Sequence, residues 1–437
     1  MLSTPADFLK SCFEAGIAAV LPERILTADR LEPTIGARPT ALLAIGKAAA
    51  PMAAAIDASL TTLGRPPVAR LVIGHGQPGE IMAGDHPVPG TASQRAADAL
   101  GSWIRDLPIA VDVHVAVSGG TSALIAAPLP GVDADELHTV FARLLHAGLD
   151  ITEMNLIRKR LTRWSGGRLA AALAPRRTIG WLISDVPGDD PSLIGSGPLS
   201  ADSWSSAEIT ALLRRHELWT ALGAPLQQVI AKETLKSNDR ALAEVELHIL
   251  ASNADALAAA ARHAASHGVR VHAVGTPLLG DAATTGTKLG AALIAAHHRA
   301  ESSVILSPEI AELWLHGGEC VVALPDDAPP GGRNQALALA AAHALAIGGG
   351  RNATTLLAAG TDGRDGTTDA AGAVVDGDTW ERIRDAGRDP AADLARHDAH
   401  AALGAGGALW APGPTGTNVM DVVLALRSRG GIPSVEG

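Results

Sequence analysis

Tyrosine is absent from the 437-residue chain, and phenylalanine occurs only three times. A core so poor in rings has to be built from small side chains, which let helices and sheets approach closely. Cysteine is nearly missing as well. Cys12 and Cys320 stand far apart, with no CxxC pair and no Cys/His metal spacing, which predicts two unpaired thiols. No run of about 18 apolar residues occurs, so no membrane-spanning helix is expected. The first residues carry Asp7, Glu14 and Glu23 and lack a signal-peptide layout. These absences predict a soluble, cytoplasmic protein. Excess positive charge is also missing: 35 Lys and Arg against 46 Asp and Glu leave a net charge of −11. That argues against a nucleic-acid surface, although local basic residues can still line a pocket for a small anion. There is no HExxH, GxSxG, HRD or DFG motif, and no low-complexity tract or short repeat. The 16 histidines are scattered, with His297–His298 and His397/His400 reading as solvated helix faces.

What is present alternates. The short apolar runs ALLAIG (41–46), RLVIG (70–74), VHVAVSGG (113–120) and GWLIS (180–184) are separated by Ala-rich helical stretches such as 50–62 and 134–148. After the polar stretch 231–244 the pattern restarts with ELHILAS (246–252) and RVHAVG (270–275), then SSVILS (302–307), ECVVALP (319–325) and TTLLAAGTDG (354–363), with helices over 254–266, 283–299 and 334–346. This is an α/β chain with mostly parallel sheets flanked by helices, long enough for more than one domain, with a boundary near residue 240.

Ligands of open parallel sheets bind beyond the carboxyl ends of strands, and there the distinctive residues stand. Ser118-Gly119-Gly120-Thr121-Ser122 follows a strand and opens a helix, an arrangement that offers amides and a helix dipole to an anion; the plainer alternative is a tight turn. Lys47 follows another strand at a helix start, a poor place for a cation unless an anion joins it. ISDVPGDDPSLIGSGP (183–198) carries Asp185, Asp189 and Asp190, suited to Mg²⁺ or to general-base work, with Asx-turn chemistry as the alternative for Asp190. Gly332, Arg333 and Asn334 open a helix, and Arg333 suits bidentate carboxylate or phosphate binding. Asp362-Gly363 begins TDGRDGTTD, whose spacing lacks the last glutamate of a calcium loop. His86 lies in the loop GDHPVPG (84–90). GHGQPG (74–79) has glycine-fingerprint spacing, but no helical pattern follows it, so it reads weakly as a dinucleotide loop.

Taken in order, AIGKAA, GDHPVP, SGGTSALIAAP, DITEMNLIRKRL, SGGRLA, ISDVPGDDPSLIGSGP, GGRNQALALA, AAGTDGRDGTTDAAGA and GPTGTNVMD resemble the glycerate 2-kinase family and span residues 44–421. The resemblance implies a Rossmann-like glycerate-kinase domain over 1–240 and a MOFRL-type domain over 241–437, two α/β domains enclosing an active-site cleft. It implies ATP- and Mg²⁺-dependent phosphorylation of D-glycerate to 2-phosphoglycerate and ADP, and it admits a homodimer. Lys47 resembles the family's catalytic lysine, Asp189 the aspartate of its SDV-x-GDD loop, Arg333 the GGRN arginine and Asp362 the TDG aspartate. Ser118–Ser122, His86 and Asn334 are then expected at substrate or anion, Gly332, Asp362 and Gly363 at nucleotide, and Asp189 with Asp190 at metal. Asp189 as general base and Asp189 as metal ligand both remain open. The chain departs from the family pattern at Ser165, where Lys is usual, at Ala336, where Glu is usual, and in DDAPP (326–330), where glycines are usual. Two competing readings are an NAD(P)H-dependent hydroxypyruvate reductase, a label long given to some proteins of this kind, and a sugar-acid or nucleotide-binding protein without turnover.

Overall fold

The continuous apolar runs become the centre of a parallel sheet. The computed structural model describes all residues except 1–3, 75–80, 87, 130–131, 148, 150, 274–275, 302–309, 326, 349–353 and 429–437. Strands β1 (Thr40–Ile45), β2 (Ala69–Gly74), β3 (Met82–Ala83), β4 (Asp112–Val117), β5 (Thr178–Ile183) and β6 (Val245–Ala251) pair in the order β3-β2-β1-β4-β5-β6, and every neighbouring pair is parallel. β1, β4 and β5 are buried along their whole length, as expected for strands covered on both faces. On one face Leu43, Ile45 and Val115 share a core with Ala96, Leu100 and Ile104 of the helix Thr91–Asp106. The helix Ala49–Thr62, through buried Met52, Ile56 and Leu60, packs against β1, β2 and β4. The helices Ala134–His146, Ile151–Leu161, Ser206–Arg215 and Ala224–Ile230 gather around Phe141, Ile157, Leu212 and Leu226 as a second core.

The chain divides into two compact units, Leu21–Ser252 and Met1–Val20 with Asn253–Gly437. The expected boundary near 240 is therefore corrected. β6 completes the first sheet by pairing with β5 from Val245 to Ala251, so the break follows β6. The first 20 residues belong to the second unit because the helix Pro5–Ala19 buries Phe8, Leu9, Cys12 and Phe13 there. The Phe13 ring meets Trp410 edge-on at 4.8 Å.

The second sheet contains β7 (Arg270–Ala273), β8 (Glu312–Gly318), β9 (Thr354–Gly360), β10 (Gly372–Asp376), β11 (Leu409–Trp410) and β12 (Asp421–Arg427), in the order β11-β10-β9-β12-β8-β7. Among the described residues β7 and β8 are parallel and the other neighbours antiparallel. This sheet is mixed, unlike the mostly parallel one expected, although parallel pairs still predominate among the described strands of the two sheets taken together. The reason is local. β9 returns through a loop directly into β10, which needs no crossover helix, and β12 enters antiparallel between β9 and β8. The run 319–325 is not a strand; the strand lies just before it, at β8. The run 302–307 lies outside the described residues.

Ions close one end of the central pair. Arg427 of β12 stands opposite Glu312 of β8, and its Nε donates to Glu312 Oε2 at 3.0 Å with both side chains buried. Small residues do what rings would do elsewhere. In the helix Ala282–Glu301, a Cβ on Gly286 would stand 2.1 Å from the Leu337 carbonyl oxygen of the helix Arg333–Ile347.

One buried histidine gives the first unit a pH dependence. Trp181 Nε1 donates to His114 Nδ1 at 3.0 Å, across β5 and β4. Burial, then the Arg177 charge, pushes the His114 pKa down to about 4. The unfolded chain binds this proton below pH about 6.5 and the folded chain does not, so stability is lost as pH falls through that window. Urea unfolding of the wild type and His114→Asn between pH 4.5 and 7 should show the wild type gaining on the variant as pH rises, by about 2 kcal/mol. A pH-independent difference would remove His114 as the source.

Candidate functional site

Strand order in the first sheet reverses between β1 and β4, where an open parallel sheet leaves a crevice beyond its carboxyl ends. The two strand ends are stitched together. Lys47 N donates to Gly119 O at 2.8 Å and Ala48 N to Ser118 Oγ at 3.1 Å. Thr121 Oγ1 donates to Ile45 O at 3.0 Å and is 2.8 Å from Ser118 O. The chains pass so closely that a Cβ on Gly46, at φ 130°, would stand 2.1 Å from Ser118 Oγ. A Cβ on Gly120, at φ 83°, would stand 3.2 Å from Lys47 Cγ and 3.3 Å from His86 Cδ2. Lys47, Gly120 and His86 thus converge from three separate parts of the sequence.

The structure gives the SGGTS residues two tasks. Ser118 and Thr121 are fully buried and hold the strand ends. Gly120 and Ser122 are half-buried, and Ser122 Oγ lies 2.7 Å from Ser196 Oγ. The following helix, Thr121–Leu124, is a single turn, so the dipole expected there is small. Beyond β5, Asp189 is half-buried at φ 55°, a sparsely populated backbone conformation for a residue with a side chain. Asp190 is exposed, and its Oδ1 accepts from Ser192 N at 2.8 Å, the Asx turn foreseen as its plainer role. Most of GHGQPG, residues 75–79, lies outside the described residues.

Two features of this unit went unread in the sequence. Asp85 fixes the loop that bears His86: its Oδ2 accepts from Ala92 N at 2.8 Å and Ser93 N at 3.1 Å. The helix Thr91–Asp106 has glycine at its N-cap and no capping side chain of its own there, so Asp85 satisfies its orphan amides from outside. Asp202 sits fully buried between Lys159 Nζ at 3.3 Å and Arg160 NH2 at 3.0 Å, and accepts from Thr234 Oγ1 at 2.8 Å. Burial works against its charge, but Lys159, Thr234 and Arg160 outweigh burial and hold Asp202 below the usual carboxylate range.

In the second unit, three loops meet around the start of the helix Arg333–Ile347. A Cβ on Gly363 would stand 2.0 Å from Gly413 O, and one on Gly332 would stand 2.2 Å from Asp365 Cγ. Arg333 is not poised alone for an anion. Its Nε and NH2 donate to the two Asp421 oxygens at 2.5 and 3.0 Å, and NH1 lies 2.7 Å from Glu319 Oε1. Burial opposes its charge, and Asp421 and Glu319 more than offset burial, so its pKa stands well above the ordinary value. Asn334 is buried, and its N donates to Asp365 Oδ1 at 3.2 Å. Gln335 N donates to Asp365 Oδ2 at 2.8 Å, and Gln335 Oε1 lies 2.9 Å from His400 Nδ1, so His400 is not merely a solvated face. Half-buried Asp362 accepts from Arg364 N at 3.0 Å, while Asp369 is exposed. Of these loop aspartates it is Asp365 that holds the helix start. A helix whose N-cap is Gly332, with no side-chain cap, was the sequence signal that a distant carboxylate was needed.

Comparison with known proteins agrees with this two-part organisation. A domain of unknown function designated DUF4147 matches residues 8–231, and the MOFRL family matches residues 312–421. The D-glycerate 2-kinase of Thermotoga maritima is 33% identical over 414 residues, covering 94% of this chain and 95% of that protein. A crystal structure of glycerate kinase from Thermotoga maritima superposes with a TM-score of 0.77 at 32% identity, covering 97% of this chain and 100% of the other. The chain belongs to the glycerate 2-kinase family. A protein from Agrobacterium vitis named putative hydroxypyruvate reductase is 35% identical over 422 residues, covering 96% of this chain and 93% of its own. In this family frame, the DUF4147 match takes in β1 to β5 with Lys47 and Asp189, and the MOFRL match takes in Arg333, Asp365 and Asp421. No helix among the described residues is long and apolar enough to cross a membrane.

The MOFRL-region carboxylate yields a test. Burial, then the nearby Asp421 charge, pushes the Asp365 pKa up to about 6. Between pH about 4 and 6 the folded chain keeps a proton that the unfolded chain releases, so stability falls as pH rises through that window. Asp365→Asn should abolish this fall, seen as a wild-type-minus-variant difference in urea unfolding that shrinks from pH 4 to 6. A flat difference would contradict it.

Proposed function

We propose that the chain is a kinase that transfers the γ-phosphoryl group of ATP to the 2-hydroxyl of D-glycerate, giving 2-phosphoglycerate and ADP with Mg²⁺ as cofactor. The observation that carries this reading is the convergence of Lys47, Gly120 and His86 at the ends of β1 and β4, in a chain whose relatives bear the glycerate-kinase name. Phosphoryl transfer asks for positioning and charge neutralisation rather than covalent chemistry. Lys47 neutralises charge on the transferred phosphoryl group. The hydroxyl oxygen forms the new bond to phosphorus as the bond to the ADP oxygen breaks, and the hydroxyl proton leaves to a carboxylate.

Asp189 is that carboxylate or, with Asp190, a ligand of the metal. Mg²⁺ typically takes one or two protein carboxylates and completes its shell with phosphate oxygens and water, so two adjacent half-buried and exposed aspartates fit it. When bound, the metal neutralises phosphate charge. Gly120 and Ser122 contribute anion contacts beside His86. In the second unit Gly332, Asp362 and Gly363 serve the nucleotide, and Arg333 and Asn334 act as positioning residues through Asp421 and Asp365. The Rossmann-like reading of the first unit rests on its strand order.

Purified protein supplied with ATP, Mg²⁺ and D-glycerate should release ADP and place phosphate at C2 by ³¹P NMR. Oxidation of NADH or NADPH by hydroxypyruvate, without ADP release in the first assay, would overturn the reading in favour of a reductase. Lys47→Ala and Asp189→Asn should each lower turnover by about 10²–10³ while remaining folded. A rise in the Mg²⁺ requirement of Asp189→Asn marks a metal ligand, and an unchanged requirement marks the proton acceptor.

A further inference from the structure

Three consecutive cations, Arg158, Lys159 and Arg160, end the helix Ile151–Leu161, and all three are buried. Lys159 and Arg160 are matched by Asp202. Among the described residues Arg158 is not matched. It is 8% exposed, its Nε is buried without a hydrogen-bond partner, and among the described residues its guanidinium makes no ion pair. Its one contact of note is the Phe141 ring, 4.9 Å from the guanidinium carbon to the ring centre. Burying a charge without a partner is costly, and a single aromatic face offsets only part of that cost. Burial alone pushes its pKa down to about 10, which still leaves it charged at neutral pH. A charged fork kept in such a setting has a function to explain it.

Its location supplies one. The helix Ile151–Leu161 packs against the turns Thr121–Leu124 and Ile194–Ser196, the two segments that follow β4 and β5 at the candidate site. We propose that Arg158 binds the carboxylate of the hydroxy-acid substrate, a role that rests on the kinase reading and names the part of the substrate held there. One guanidinium balances one carboxylate, and its planar fork matches two carboxylate oxygens. The Phe141 face beside it belongs to an apolar cluster with Val140, Met154 and Ile157. Such a face suits a small monoanion. A triphosphate, with several charges, needs more donors than one arginine offers.

The test compares wild type, Arg158→Gln and Arg158→Lys by steady-state kinetics and by thermal shift with D-glycerate, L-lactate and inorganic phosphate. Loss of a charge-assisted pair predicts a rise in the D-glycerate KM of about 10–100-fold for Arg158→Gln, with the ATP KM within about twofold. Arg158→Lys keeps the charge and loses the fork, so it should fall between, and it carries the comparison if Arg158→Gln fails to fold. If the wild type does not phosphorylate glycerate, the kinase reading fails, but a thermal shift by lactate or glycerate that vanishes in Arg158→Gln still supports the carboxylate site. An unchanged glycerate KM and shift would overturn the proposal. So would a loss confined to ATP or inorganic phosphate.

Discussion

The approach of β1 to β4 at their carboxyl ends is the constraint on which the first unit's candidate site depends. Residue 46 carries no side chain, so the Ser118 backbone and hydroxyl come within the space a Cβ would fill. That approach lets Ser118 and Thr121 bind across to the other strand instead of to solvent. Once the strand ends are joined, the backbone at Lys47 is held by its bond to Gly119 O. Gly120 then lies against both Lys47 and the loop held by Asp85. Beyond β5, Asp189 also holds an unusual φ, a conformation that persists where its surroundings over-determine it.

Most of the buried charge falls into closed groups. Glu312 with Arg427, Asp202 with Lys159 and Arg160, and Arg333 with Asp421 and Glu319 are closed groups, each carboxylate answered by a cation. Breaking such a group leaves one uncompensated buried charge, which typically costs about 3–5 kcal/mol. They hold strands, loops and helix starts in register. Among the described residues Arg158 stands outside this pattern, one residue from Lys159 and two from Arg160, which obey it. A motif read only as a string of basic residues hides that difference.

The sequence made some of this legible and concealed the rest for identifiable reasons. β1, β4 and β5 could be read because strands covered on both faces are continuous apolar runs, and their ends marked Lys47, Gly120 and Asp189. β12, DVVLALR, is as apolar a run as these, but its antiparallel place between β8 and β9 depends on partners distant in the chain. The boundary was misplaced because the polar stretch 231–244 looks like a linker, whereas β6 behind it is an edge strand of the first sheet. Asp85 and Asp365 cap helices from six or more residues away in sequence, a relation no local pattern reports. Arg333 looked like an anion clamp because its two carboxylate partners come from other loops and strands. The family resemblance supplied the expected roles, and the geometry sorts which residues touch one another.

The most direct measurement is the activity of Gly120→Ala with D-glycerate, ATP and Mg²⁺, alongside its melting temperature. The substitution adds one methyl at the meeting point of Lys47 and His86, and its φ of 83° costs about 1–2 kcal/mol for a residue with a Cβ. Convergence at that point predicts a variant that melts within several degrees of the wild type and loses about 10-fold or more of its turnover. A stably folded Gly120→Ala enzyme with wild-type turnover would contradict the placement of the chemistry at the ends of β1 and β4.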